Sequence, residues 1–187
     1  MNIGFAMCGS FCTYQEVFPV LEILSSIHTV TPIFSQAAYT TDSRFGTAAE
    51  HIARAESICG AKVLHSISEV EPIGPKQLLD ALVIAPCTGN TLAKLAHSIA
   101  DGPVTMAAKS HLRNSRPILI AVSTNDALAG AAENIGRLLY KKNYYFVPFG
   151  QDDPFKKPTS MVADFEKLPQ ALELALDGRQ LQPLLIG

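Results

Sequence analysis

The chain has 187 residues, of which 48% are hydrophobic and 17% charged, enough for one domain with a sizeable core and no compositional sign of disorder. Its formal charge of -2 argues against a general nucleic-acid or membrane-surface binder, since both need a basic face. No apolar run approaches the roughly 18 residues of a spanning helix, and the opening MNIGFAMCGS lacks a basic lead, so no secretion signal is expected and a cytoplasmic location follows by default.

In chain order, NIGFAM (2–7) is a short apolar strand, and the spacing of Val17, Val20, Leu21, Leu24 and Ile27 predicts a helix over 17–27, with Pro19 awkward inside it. TVTPIFS (29–35) reads as a second strand, EHIARAESICG (50–60) as a helix stopped by Gly60, and KVLH (62–65) as a weak third strand. ALVIA (81–85) is apolar on both faces, the pattern of a central parallel strand. A helix from about Thr91 carries Leu92, Leu95, Ala96 and Ile99 on one face; PILIAV (117–122) is a second doubly buried strand. Asp126 is the expected N-cap of a helix bearing Leu128, Ala131, Ile135 and Leu138 that Lys141 and Lys142 close. YYFVP (144–148) is a last strand, GQDDPFKKPTS (150–160) a long polar loop, and a final helix runs near 164–176. Strands alternating with helices predict an α/β fold: a three-layer, doubly wound, mostly parallel six-stranded sheet of Rossmann/flavodoxin-like type, in a single domain spanning 1–187.

Ligands of such sheets bind beyond the carboxyl ends of the strands. The segments there read CGSFCT, SQAAYT, PCTGNT and STNDA, all rich in small residues, hydroxyls and amides. None offers a carboxylate pair, a histidine cluster or a nucleophile beside a base. Uncharged donors of this kind suit a phosphate: Gly9 admits close backbone approach, Ser10 and Ser35 add hydroxyls, and Thr88, Gly89, Asn90 and Thr91 open a helix whose free N–H groups favour an anion. Ser123 and Asn125 complete the expected set. The same residues also read as ordinary helix caps. The fingerprint G-x-G-x-x-G is missing, and Ser35 and Gln36 stand where a nicotinamide site needs an acid, so a mononucleotide such as FMN fits better than NAD. Cys8 and Cys12 lack further ligands at metal-site spacing, and no metal is expected.

The segment DALVIAPCTGNTLAKLAHSIAD resembles the "viAPaSaNTlakiA" motif of the flavoprotein superfamily, which includes FMN-dependent cysteine decarboxylases and flavin prenyltransferases. The resemblance implies FMN contacts at Gly9, Ser10, Ser35, Thr88, Asn90 and Thr91, and homo-oligomers with the flavin between chains. GSFCTYQEVFP, RFGTAAEHI, EPIGPK, RPILIAVSTNDAL and PFGQDDPFKKPTSMV are similar to a narrower branch serving sporulation. That branch implies one of two subunits that oxidise dihydrodipicolinate, a small dicarboxylate, beside a dehydrogenase-like partner with its own NAD(P) site. The chain departs from the wider family where the decarboxylases carry a PxMNxxMW clamp: VSTNDALAG keeps Asn125 and loses the methionines and tryptophan, and Thr124 stands where the prenyltransferases place an arginine. Neither activity carries over. His65 lies in the region of the decarboxylases' histidine and is the one candidate catalytic residue, set against a purely structural role.

Three readings stay open on this basis: an oxidoreductase subunit using FMN, a non-catalytic flavodoxin-like partner, or a dicarboxylate-binding subunit without redox work. Lys109, His111, Arg113 and Arg116 would welcome a dicarboxylate if they faced the site, and Phe155, Lys156 and Lys157 are the expected contact residues of the 150–160 loop.

Overall fold

The computed structural model describes residues 1–187. Its elements, in chain order, are β1 (Asn2–Met7), α1 (Tyr14–Ile27), β2 (Thr29–Phe34), α2 (Gln36–Thr40), α3 (Ala48–Cys59), α4 (Ile67–Val70), β3 (Ala81–Cys87), α5 (Gly89–Ala96), α6 (Pro103–Leu112), β4 (Ile118–Thr124), α7 (Ala132–Tyr140), β5 (Tyr144–Phe146), β6 (Phe149–Gly150), β7 (Met161–Ala163) and α8 (Leu168–Leu176). No helix is long and apolar enough to cross a membrane.

Every residue of β3 is buried, as are all of β4 but Thr124, because helices cover both faces of the sheet. The parallel strands lie in the order β2-β1-β3-β4-β5. The chain therefore winds outward from β1 in both directions, and the strand order reverses between β1 and β3. Loops leaving those two strands part to opposite faces there and open a crevice at the carboxyl edge.

The expected six-stranded sheet becomes five parallel strands plus a short antiparallel appendage. Segment 62–65 makes only a bridge, Leu64 to Ile33, before Ser66 starts the capping box of α4 with Glu69. Pro32 has no N–H to extend a ladder on that edge. At the other side, β4 shares its free edge: Ile118–Ile120 pair with β5, and Ser123 and Thr124 pair with β7, which in turn carries β6. This appendage brings the 151–160 loop to the carboxyl end of β4.

Three further expectations are corrected. Asp126 does not cap a helix: residues 126–131 form turns closed by Ala129 and Ala131 N–H groups on the Asp126 carbonyl, and α7 begins only at Ala132. The Asp126 carboxylate is engaged instead by the Thr124 hydroxyl. Lys141 ends α7, but its ammonium donates to the Leu95 and Ala96 carbonyls, closing α5 rather than its own helix. Pro19 sits exposed in the second turn of α1, which starts at Tyr14 rather than Val17.

Candidate functional site

The crevice at the strand-order reversal is a cleft in two halves that share Gly9 and Thr88 as common wall. The first half, of about 570 Å³, is lined by Gly9, Ser35, Thr88, Asn90 and Thr91, with Lys94 and Asp101 at its rim. The second, of about 650 Å³, is lined by Gly9, Ser10, Thr88, Ser123 and Asn125, together with Cys12, Arg44, Asp152, Lys157 and Ser160. Both volumes lie in the range of small-molecule sites. Of the nine residues expected to bind a cofactor, eight line one half or the other. The ninth, Gly89, lies behind: a Cβ there would stand 2.7 Å from the Asp126 carboxylate and 2.8 Å from the Thr124 hydroxyl, so glycine permits the start of α5 to pack against the end of β4.

Local chemistry fixes the first half. Ser35 caps α2 by accepting from the Ala38 N–H at 3.2 Å, and Thr88 caps α5 by accepting from the Thr91 N–H at 3.3 Å. The Thr91 hydroxyl donates to the Cys8 sulfur just beyond β1 at 3.3 Å, tying the start of α5 to the loop after the first strand under the cleft. Cys8 is fully buried, and burial pushes its thiol up to about 11, so it stays protonated. A Cβ on Gly9 would meet the Ala37 Cβ at 3.2 Å, which places the first loop hard against α2. Lys94 and Asp101 pair at 2.9 Å, and this ion pair holds the Asp101 carboxyl below its ordinary range.

The second half is built from loops. Ser10 and Ser123 hydroxyls meet at 2.7 Å on its floor. The 151–160 segment is anchored by the Thr159 hydroxyl on the Asn125 carbonyl (2.7 Å) and by the Leu128 N–H on the Thr159 carbonyl (2.9 Å). Within it, Lys157 donates to Asp152 at 3.0 Å. Burial raises the Asp152 carboxyl, but hydrogen bonds from Ser160 and Lys157 outweigh it and leave the group below its ordinary value. Facing this segment is the turn Ser43–Gly46, closed by backbone bonds of 3.0 and 3.2 Å and fixed by the Ala48 N–H on Asp42. Gly46 has φ +128°, a conformation other residues rarely adopt. The turn carries Arg44, whose guanidinium sits 4.8 Å over the Phe45 ring.

The remaining candidates lie elsewhere. His65 lines neither half; it stacks on Tyr39 at 3.8 Å, and its Nδ1 lies 3.4 Å from Glu69. The basic cluster is dispersed: His111 is fully buried with Nε2 3.0 Å from the Pro117 carbonyl, and Arg116 donates to the Gln77 and Leu79 carbonyls and pairs with Asp80. Lys109 and Arg113 border a different hollow. Of the loop residues, Lys157 faces the cleft, whereas Phe155 stands 95% exposed. Cys12 lies in the strand-end segment CGSFCT without being singled out as a contact; Arg44 and Asp152 have no signal in that reading, and their loops, RFG and GQDD, are the only local hints.

A parallel sheet of order 2-1-3-4-5 with a hydroxyl-rich cleft at its switch point defines a flavodoxin-like class of protein. The model of the Flavoprotein family matches residues 1–150, and the chain belongs to that family. It is 49% identical over 186 residues to the B subunit of dipicolinate synthase of Bacillus subtilis (strain 168), covering 99% of this chain and 93% of that protein. The crystal structure of the dipicolinate synthase B subunit from Bacillus halodurans C superposes with a TM-score of 0.91 at 46% identity, covering 100% of this chain and 96% of that one. The FMN-dependent cysteine decarboxylase SpaF shares the fold alone, with a TM-score of 0.70 at 23% identity over 95% of each chain.

Proposed function

We propose that this chain acts as the B subunit of a dipicolinate synthase, working in the cytoplasm with the dehydrogenase-like A subunit of that enzyme to oxidise dihydrodipicolinate to dipicolinate. Its full-length similarity to two B subunits supports the pairing, and the A subunit would contribute its own NAD(P) site. Formation of an aromatic ring drives the oxidation, which needs a hydride acceptor and a base for one ring proton.

The observation that carries the cofactor reading is the donor set of the first half. Ser35, Thr88, Asn90 and Thr91 present hydroxyls, an amide and helix-start N–H groups around a space of about 570 Å³, with the Lys94 charge already paired. Such a set fits a phosphate ester of a mononucleotide, and FMN is the mononucleotide proposed. When bound, the flavin supplies a two-electron acceptor. Gly9 and Thr88, common to both halves, then stand between the phosphate and the reacting part of the site.

The second half supplies the substrate end. Arg44 and Lys157 place two cations around it, suited to a dicarboxylate, and Ser10, Ser123 and Asn125 add neutral donors. Asp152 holds the Lys157 ammonium in place until a substrate carboxylate shares it. We assign Lys157 and Arg44 to substrate binding and leave His65 outside the chemistry. No histidine lines the cleft, and under this reading the base that takes the ring proton comes from the A subunit.

The visible spectrum of the purified chain tests the cofactor assignment. Absorbance near 450 nm, or its appearance on adding FMN, is the expected result, with uptake weakened in Thr88→Ala and Asn90→Ala. A protein that stays colourless and takes up no FMN leaves the non-catalytic partner reading. Turnover of dihydrodipicolinate by the two chains separately and by their mixture then locates the reaction.

A further inference from the structure

Outside the cleft, a hollow of about 340 Å³ opens between the end of α5 and α6. Leu95, Ile99, Ala100 and Leu112 give it apolar walls, with half-buried Tyr144 from β5 beside them. Lys109 and Arg113, one helical turn apart at the end of α6, also line it. No acidic side chain lines the hollow, and neither cation takes part in any ion pair of the molecule. Thr105 lines both this hollow and the first half of the cleft, so the two are neighbours across the start of α6.

An apolar chamber bordered by two unpaired cations selects for an amphipathic anion. Its size excludes a polymer and accommodates one ring with its substituents. Burial pushes the Tyr144 hydroxyl up to about 12, so it remains a protonated donor at any physiological pH. Of the four basic residues before β4, His111 and Arg116 are spent on bracing backbone carbonyls. Lys109 and Arg113 are the two left available.

We infer that the hollow between α5 and α6 is a second small-molecule site, taking a ring-bearing carboxylate with its ring against Leu95, Ile99 and Leu112 and its carboxylate between Lys109 and Arg113. The site is separate from the FMN assignment and does not depend on it.

Calorimetric titration of the whole chain with benzoate, against the uncharged isostere benzamide, tests the inference. Saturable benzoate binding is expected, with benzamide at least tenfold weaker. Lys109→Ala combined with Arg113→Ala should weaken benzoate at least tenfold, whereas Lys109→Arg combined with Arg113→Lys should retain it. Both positions are exposed, and circular dichroism checks that the variants fold. FMN uptake measured on the same samples should be unchanged, which separates this site from the cleft. Thr88→Ala, in the cleft, should leave benzoate binding intact. The inference is overturned if benzoate fails to bind, if the double alanine variant binds it undiminished, or if Thr88→Ala alone abolishes it. It is equally overturned if sedimentation shows a dimer that Ile99→Asp dissociates while benzoate has no effect, since the hollow would then be covered by a second copy.

Discussion

The hydroxyls of Ser10 and Ser123 meet at 2.7 Å, joining the loop after the first strand to the end of the fourth across the floor of the cleft. Two strands separated by β3 in the sheet are thereby linked above it. A part-buried bond of this kind is worth about 1 kcal/mol net. Ser10→Ala and Ser123→Ala should each lower unfolding free energy by about that amount, and the double variant by less than their sum. A coupling of about 0.5–1.5 kcal/mol in denaturant melts is the expected outcome. Additive losses would mean that the two loops do not touch in solution.

Arg44 and Lys157 reach the second half of the cleft from two separate loops. If both hold substrate carboxylates, Arg44→Ala and Lys157→Ala should each raise KM for the dicarboxylate roughly tenfold to a hundredfold, by analogy with charged hydrogen bonds of about 1.5–3 kcal/mol. The maximal rate of the two-subunit enzyme should change far less. Lys157→Arg should recover most of the loss. A fall in kcat at constant KM would assign these residues to the chemical step instead.

Acid should destabilise the fold through two buried histidines. Burial lowers the pKa of both His51 and His111: the first packs 4.7 Å from the Tyr14 ring, and the second lies with Nε2 3.0 Å from the Pro117 carbonyl just before β4. His51 Nε2 and His111 Nδ1 are buried without partners. The folded state therefore keeps these rings neutral while the unfolded chain protonates near pH 6.5. Below that pH the unfolded state binds more protons, so stability is fully present above it and is lost as pH falls toward the lowered folded values. Thermal melts from pH 8 to pH 5 should show this decline, and His111→Asn should make it shallower. A melting temperature independent of pH over this window would contradict the assignment.

Much of this architecture is legible in the sequence because it rests on long runs of one kind. The all-apolar stretch 81–85 reads as a central strand, and each small-polar cluster follows a strand closely enough to land on the rim. Elements whose formation depends on distant partners are not legible. Met161–Ala163 is a strand only because Ser123 and Thr124 offer it an edge, and Phe149–Gly150 only because that strand is there. Asp126 misleads for a related reason: an acid before apolar positions reads as a cap, but here a nearer hydroxyl, that of Thr124, takes the carboxylate. The same limit hides Arg44, which arrives on a turn whose course is set by the tertiary anchor at Asp42 and leaves no periodic trace. Lys157 is legible only as part of a long polar loop, and its place beside the cleft depends on the anchor of Thr159 on Asn125.

The contrast between Cys8 and Cys12 has a practical outcome. One sulfur is sealed beneath the strands with its proton held, and the other stands exposed where the second half of the cleft opens. Of these two, only Cys12 is open to an alkylating reagent. Its labelling rate reads occupancy of that chamber directly, giving the molecule an indigenous probe that needs no engineered tag.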